Sequence, residues 1–97
     1  MKIRILSSCY SDLKRGRAFY EKQGEGLGGY FFDSVFSDID SLILYAGIHK
    51  MCFGYYRLLA SRFPYAIYYK IKEDSVLVYR VFDCRSNPQV IKSDLKK

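Results

Sequence analysis

Residues 2–7 alternate, with Ile3 and Ile5 on one side and Lys2, Arg4 and Leu6 on the other. That period-two pattern predicts a short strand whose isoleucines face a core. A helix is expected next, running to Lys22. Ser8 or Ser11 supplies an acceptor for its free N–H groups, Asp12 suits its positive end and Lys22 its negative end. Leu13, Phe19 and Tyr20 form its apolar stripe. Gly16 within it costs about 1 kcal/mol against alanine, so a close approach of another backbone is expected there. Gly24-Glu25-Gly26-Leu27-Gly28-Gly29 breaks the helix. From 27 to 46, Phe32, Val35, Phe36, Ile39, Leu42, Ile43 and Ala46 recur at steps of three and four, predicting an amphipathic helix about 30 Å long. Gly47 suits its left-handed end.

His49 to Phe53 reads as a connection. Three strands follow at close spacing: Tyr55–Ala60, Phe63–Lys72 and Val76–Cys84, all rich in β-branched and aromatic residues. A turn falls near Ser61-Arg62 and another at Glu73-Asp74. Pro64 lacks an amide donor and belongs at a strand start or edge. Asn87-Pro88 stops the last strand, and 89–96 forms either a short helix or a tail. The order is β-α-α-β-β-β, an α+β domain. Short connections favour an antiparallel meander packed on one face by the helical hairpin, with the other face partly open.

Length and charge narrow what such a fold does. With 97 residues there is one domain, 1–97, and no room for a doubly wound enzyme. The net charge is +6, and it is uneven. Residues 1–50 carry seven Lys/Arg and six Asp/Glu, whereas 51–97 carry nine and four. A basic domain favours anionic partners. Six of the ten tyrosines fall between Tyr55 and Tyr79, interleaved with Arg57, Arg62, Lys70, Lys72, Arg80 and Arg85. Aromatic residues among cations can stack bases or anchor a protein partner, although tyrosine also suits strands by propensity alone.

Other chemistries find little support. Cys9, Cys52 and Cys84 are odd in number and widely spaced, so reduced thiols in a cytoplasmic protein are expected rather than a disulfide framework. A zinc site needs four ligands, and the sole histidine, His49, has only Cys52 near it; no metal or cofactor is expected. Gly24, Gly26 and Gly29 match GxGxxG but follow a helix instead of a strand, which argues for a turn. Asp33, Asp38 and Asp40 read as a solvated helix face. His49 reads as exposed or capping. No secretory signal opens the chain and no apolar run suffices for a membrane span.

Two segments carry a resemblance. RAFYEKQGEGLGGYFFDSVFSDIDSLILYAG and FGYYRLLASRFPYAIYYKIKEDSVLVYRVFDCRSNP are similar to the RelE/ParE family of small bacterial toxins. Its most specific part is Arg62 to Tyr69, followed by Val78-Tyr79-Arg80-Val81 and Asp83 to Pro88. The resemblance implies a cytoplasmic toxin of a type II toxin–antitoxin module, neutralised by a small cognate antitoxin. It implies DNA gyrase as target in the ParE-like branch, and ribosome-dependent mRNA cleavage in the RelE-like branch. The ribonuclease branch places an arginine where this chain has Ala66, another near Arg85, and a tyrosine near Lys92, although no tyrosine follows Tyr79. The hairpin is long, as in the ParE branch. A ParE-like, non-enzymatic toxin is therefore expected, with Arg57, Arg62, Tyr65, Tyr68, Arg80 and Arg85 as partner-binding residues. A RelE-like endoribonuclease and a decayed orphan are the alternatives.

Overall fold

The computed structural model describes residues 1–96. Five strands form one sheet: β1 (Lys2–Ile5), β2 (Lys50–Cys52), β3 (Tyr55–Leu59), β4 (Tyr65–Lys72) and β5 (Ser75–Asp83), in the spatial order β1-β5-β4-β3-β2. The helices are α1 (Ser7–Gln23), α2 (Leu27–Asp40), α3 (Leu42–Tyr45) and α4 (Pro88–Leu95). The expected α+β fold and its order hold, with additions at three places.

The sheet is mixed. β3, β4 and β5 form the antiparallel meander, but β1 lies parallel to β5, with Ile3 beside Val76 and Ile5 beside Val78. The antiparallel rule governs strands joined by tight turns. β1 leaves through a helix, so packing of its isoleucines sets its direction. Residues 50–52 are a strand, not a connection. A turn at Phe53 (φ 56°) and Gly54 (φ 86°) pairs Cys52 with Tyr55. Two successive positive φ values are the requirement of the hairpin turn usually written Asn-Gly, and a phenylalanine in that place conceals it. The 89–96 segment is helical. Asn87 caps α4 by accepting from the Gln89 N–H at 2.8 Å, and Pro88 begins it.

The helical hairpin covers one sheet face. Cys9 and Leu13 of α1, Phe31, Val35 and Ile39 of α2, and Leu42 bury themselves against Ile67, Tyr69, Val76, Val78 and Val81. The stripe of α2 is thus rotated from the expected one: Phe31 replaces Phe32 at the centre, Phe36 is half-buried, and Ile43 is exposed. Three consecutive aromatic residues, Tyr30, Phe31 and Phe32, leave that rotation open in the sequence. The long helix also breaks at Ser41, whose hydroxyl donates to the Asp38 carbonyl at 2.6 Å. Gly16 admits the Phe31 ring, not a backbone; a Cβ there would lie 2.5 Å from Phe31 Cε2. At Gly28, by contrast, a Cβ would meet the Arg17 carbonyl oxygen at 2.5 Å, so this glycine sets the separation of α1 and α2. Glu21 accepts from the Gly26 and Gly28 N–H groups at 3.0 and 2.9 Å, and the glycine run is a turn between helices.

The second sheet face is half covered. Ile91 and Leu95 of α4 pack on Tyr55, Ala66 and Tyr68, and the Tyr55 hydroxyl donates to the Leu95 carbonyl at 2.9 Å.

Candidate functional site

Beneath α4, Arg57 on β3 stands directly across from Tyr68 on β4. Arg57 Nε donates to the Tyr68 hydroxyl at 3.3 Å, and its Nη2 lies 3.9 Å from Cys84 Sγ. These residues line a cleft with Cys52, Phe53, Ser86, Pro88 and Ile91. Burial raises the Tyr68 phenol above its ordinary value, with the Arg57 hydrogen bond opposing it. Tyr68 is a covered residue, packed under Ile91 and against Phe82.

Arg80 occupies a different place. β1 ends at Ile5, so the outer edge of β5 beyond Val78 has no neighbouring strand. A bulge falls there, since Tyr68 pairs with Arg80 but Tyr69 with Val78. The first turns of α1 satisfy the exposed groups instead. Leu6 N–H donates to the Val78 carbonyl, the Ser8 hydroxyl to the Tyr79 carbonyl at 2.8 Å, and the Val81 N–H to Asp12 Oδ2 at 2.9 Å. Arg80 holds the same carboxylate through Nε at 2.7 Å and Nη2 at 2.9 Å, with its guanidinium 4.5 Å from the Phe82 ring centroid. Ser8 and Asp12, expected to cap and complement α1, therefore seal a sheet edge. Leu6 precedes the helix, and no side chain caps it.

Arg85 is held at the end of β5, where Nε and Nη2 reach Asp83 at 2.9 and 2.6 Å. The Arg85 hydrogen bonds keep the Asp83 carboxyl below its usual range. Tyr65 faces the helix side, its ring 4.9 Å from that of Phe31, and burial, with Tyr20 and Asp83, pushes its phenol up to about 12. Arg62 is exposed in the β3–β4 connection. That connection is tied down by Asp38, which accepts from the Ser61 N–H at 2.9 Å and from its hydroxyl, so Asp38 is not merely a solvated helix position. His49 is also engaged: the Tyr69 hydroxyl accepts from the Gly47 N–H at 3.0 Å and bonds His49 Nδ1, and burial lowers the imidazole pKa.

The six residues expected to bind a partner are thus distributed. Arg57 and Tyr68 share the α4-side cleft, Arg80 belongs to the α1–β5 seam, Tyr65 and Arg85 sit near Asp83, and Arg62 stands in a loop. Two of the arginines are committed to carboxylates. Ala66, at the place where the ribonuclease branch carries a cation, is 1% exposed beneath α4. The sequence points to Asp12 only as a helix-end charge and to Cys84 only as a free thiol, because neither the Asp12–Arg80 nor the Arg57–Cys84 pairing has a local spacing. Among the described residues no three His, Cys, Asp or Glu side chains gather as metal ligands, and no helix is long and apolar enough to cross a membrane.

Neither a protein-family model nor a curated protein sequence matches the chain. Its backbone, however, superposes with a TM-score of 0.78 on a chain described as the chromosomal ParDE TA system from P. aeruginosa. The fold is ParE-like. The superposition covers 86% of this chain and 95% of the other at 16% identity, so what the two share is architecture. The helical hairpin, α1 and α2, is the element that buries one face of the sheet here.

Proposed function

We propose that the chain is the toxin of a type II toxin–antitoxin module, acting by holding a protein target, DNA gyrase, and kept inactive by a cognate antitoxin in the cytoplasm. The fold shared with a chain of a ParDE system carries this reading. Support for a binding mode over ribonuclease chemistry comes from the charges. A phosphorane-like transition state needs convergent cations and a proton-transfer pair. Here Arg80 and Arg85 are neutralised by Asp12 and Asp83, and Ala66 is apolar and covered. An antitoxin needs apolar anchor sites, and Ile43, Leu44 (78% exposed), Ile48 (73%), Met51 and Leu59 stand exposed on α3, the segment after it and the β2–β3 end of the sheet.

One observation favours the RelE-like alternative: Arg57 and Tyr68 pair a cation with a phenol inside a cleft. Pulse labelling of DNA, RNA and protein synthesis after regulated induction decides. The expected result is early arrest of DNA synthesis with messages intact, and only a modest loss of toxicity in Arg85→Ala. Immediate translation arrest with cuts inside codons, abolished by Arg57→Ala, would install the nuclease instead. Growth unaffected by soluble, folded protein would leave the orphan reading.

A further inference from the structure

The half of the second sheet face that α4 leaves bare carries a grid of cations. In the β1–β5–β4 register, Arg4 lies beside Leu77 and Leu77 beside Lys70; Lys2 lies beside Ser75 and Ser75 beside Lys72. Residues in one such row share a face. Ile3, Ile5, Val76 and Val78 alternate with them and fill the core under the hairpin, so both rows face away from it. Lys2, Arg4, Lys70 and Lys72 are all exposed. Among the described residues the ion pairs are Asp12 with Arg15 and Arg80, and Asp83 with Arg85, so none of the four is neutralised.

Geometry makes the grid regular. Positions two apart on a strand are separated by about 6.8 Å, and two strand widths by about 9.6 Å. Arg4 and Lys72 line one shallow open depression with Glu73, Ser75 and Leu77. Lys70 is held over the rings of Tyr55 and Tyr79, its Nζ 4.5 and 5.7 Å from their centroids. Glu73 on the rim and Asp74 in the same turn are the acidic groups of this end.

We propose that this surface binds the phosphate backbone of a nucleic acid, without reading its bases. The row spacing is on the scale of successive phosphates along a strand. The face holds Leu77 and Tyr79 as its apolar groups, too few for the desolvated centre a protein interface needs. Apart from Met1, next to Lys2, the exposed large apolar residues lie elsewhere: on the hairpin, on α3 and the segment after it, at the β2–β3 end and at Val90 of α4. A sheet face with few hydrogen-bonding side chains other than cations fits phosphates rather than base edges. This inference does not rest on the toxin reading, and its test needs no toxicity.

The purified chain is titrated against a labelled DNA duplex of mixed sequence, and separately against a single-stranded RNA of equal length, between about 50 and 200 mM salt. Neutralising four phosphates predicts a slope of log K against log salt of about −3.6 on duplex DNA. K2Q/R4Q and K70Q/K72Q lie on different strands, and each is expected to flatten that slope by about 1.8. Lys92→Gln, on α4, is expected to leave it unchanged. Circular dichroism confirms folding, and if one pair of substitutions disturbs it, the other pair decides. Tighter duplex binding assigns the surface to DNA and tighter single-strand binding to RNA, and either sustains the phosphate assignment. Absence of binding at low salt, slopes unaltered in both pairs, or displacement of the DNA by polyglutamate at equal charge would overturn it; the last result would make the face a site for an acidic protein.

Discussion

The carboxylate of Asp12 on α1 and the guanidinium of Arg80 on β5 stand 68 residues apart in the chain and share two hydrogen bonds, at 2.7 and 2.9 Å. The Asp12 side chain is 3% exposed and also receives the Val81 N–H. Removing one partner of a buried pair leaves an uncompensated charge, which costs about 3–5 kcal/mol. Asp12→Ala is expected in that range, because it orphans the arginine and a strand amide together. Arg80→Ala should cost less, since Arg15 and Val81 still hold the carboxylate. Arg15→Ala, at a side chain 71% exposed, should cost little. Urea unfolding of the three variants gives the order; three equal values would show that the seam does not act through Asp12. Any functional loss in Arg80→Ala must therefore be read beside its stability.

Gly16 and Phe31 are expected to be coupled. A methyl group at Gly16 collides with the Phe31 ring, so Gly16→Ala should destabilise by about 1–3 kcal/mol. Phe31→Ala, deleting a fully buried ring that meets Tyr20, Phe63 and Tyr65, should cost about 3–5 kcal/mol. Once the ring is gone, the added methyl should become neutral or helpful, because alanine is the better helix former by about 1 kcal/mol. A double-mutant cycle measures this; simple additivity would refute the contact. Phe36→Ala, at a half-buried position, should fall well below Phe31→Ala.

Stability should decline on mild acidification through His49. Burial holds the folded imidazole below its ordinary pKa of 6.5, so the unfolded chain binds the proton more readily. The contribution is full above about 6.5 and is lost as pH falls through the lower folded value. The ring that titrates is the one bonded through Nδ1 to the Tyr69 hydroxyl. Melting temperature is expected to fall between about pH 7.5 and 5.5, and His49→Gln should flatten the decline. An identical profile in that variant would place the titration elsewhere.

The three thiols should separate by reactivity. Cys84 is exposed, Cys52 half-buried, and Cys9 fully buried with its pKa pushed up to about 12 by burial and the neighbouring Asp12 charge. The thiolate is the reacting form. Alkylation of the native protein, followed by mass spectrometry, should label Cys84 first, Cys52 more slowly, and Cys9 only after unfolding. Early labelling of Cys9 would mean that α1 lifts from the sheet.

What the sequence disclosed and withheld has physical causes. Alternation and composition located β1, β3, β4 and β5 to within a few residues, since a half-buried strand must alternate. The αα-hairpin was legible from its glycine turn. The rotation of α2 was not, because Tyr30, Phe31 and Phe32 offer adjacent stripes and the void beside Gly16 chooses among them. β2 was hidden by a positive-φ phenylalanine. Of the six residues expected to bind a partner, Arg57 and Tyr68 meet each other. The partners of Arg80 and Arg85 decide what those side chains can do, and Asp12 is brought to Arg80 only by the parallel placement of β1, which no local pattern records.

That placement also orders events in time. A ribosome releases β1 and α1 long before β5, and contacts such as Ser8 with Tyr79 span 71 residues. Until β5 emerges, Ile3 and Ile5 have no strand to join and Asp12 has no arginine to hold. Closure across such a separation is slow. The nascent chain therefore remains unfinished on one flank through most of its synthesis, and the completed surfaces come into being nearly at once, after the last strand is made.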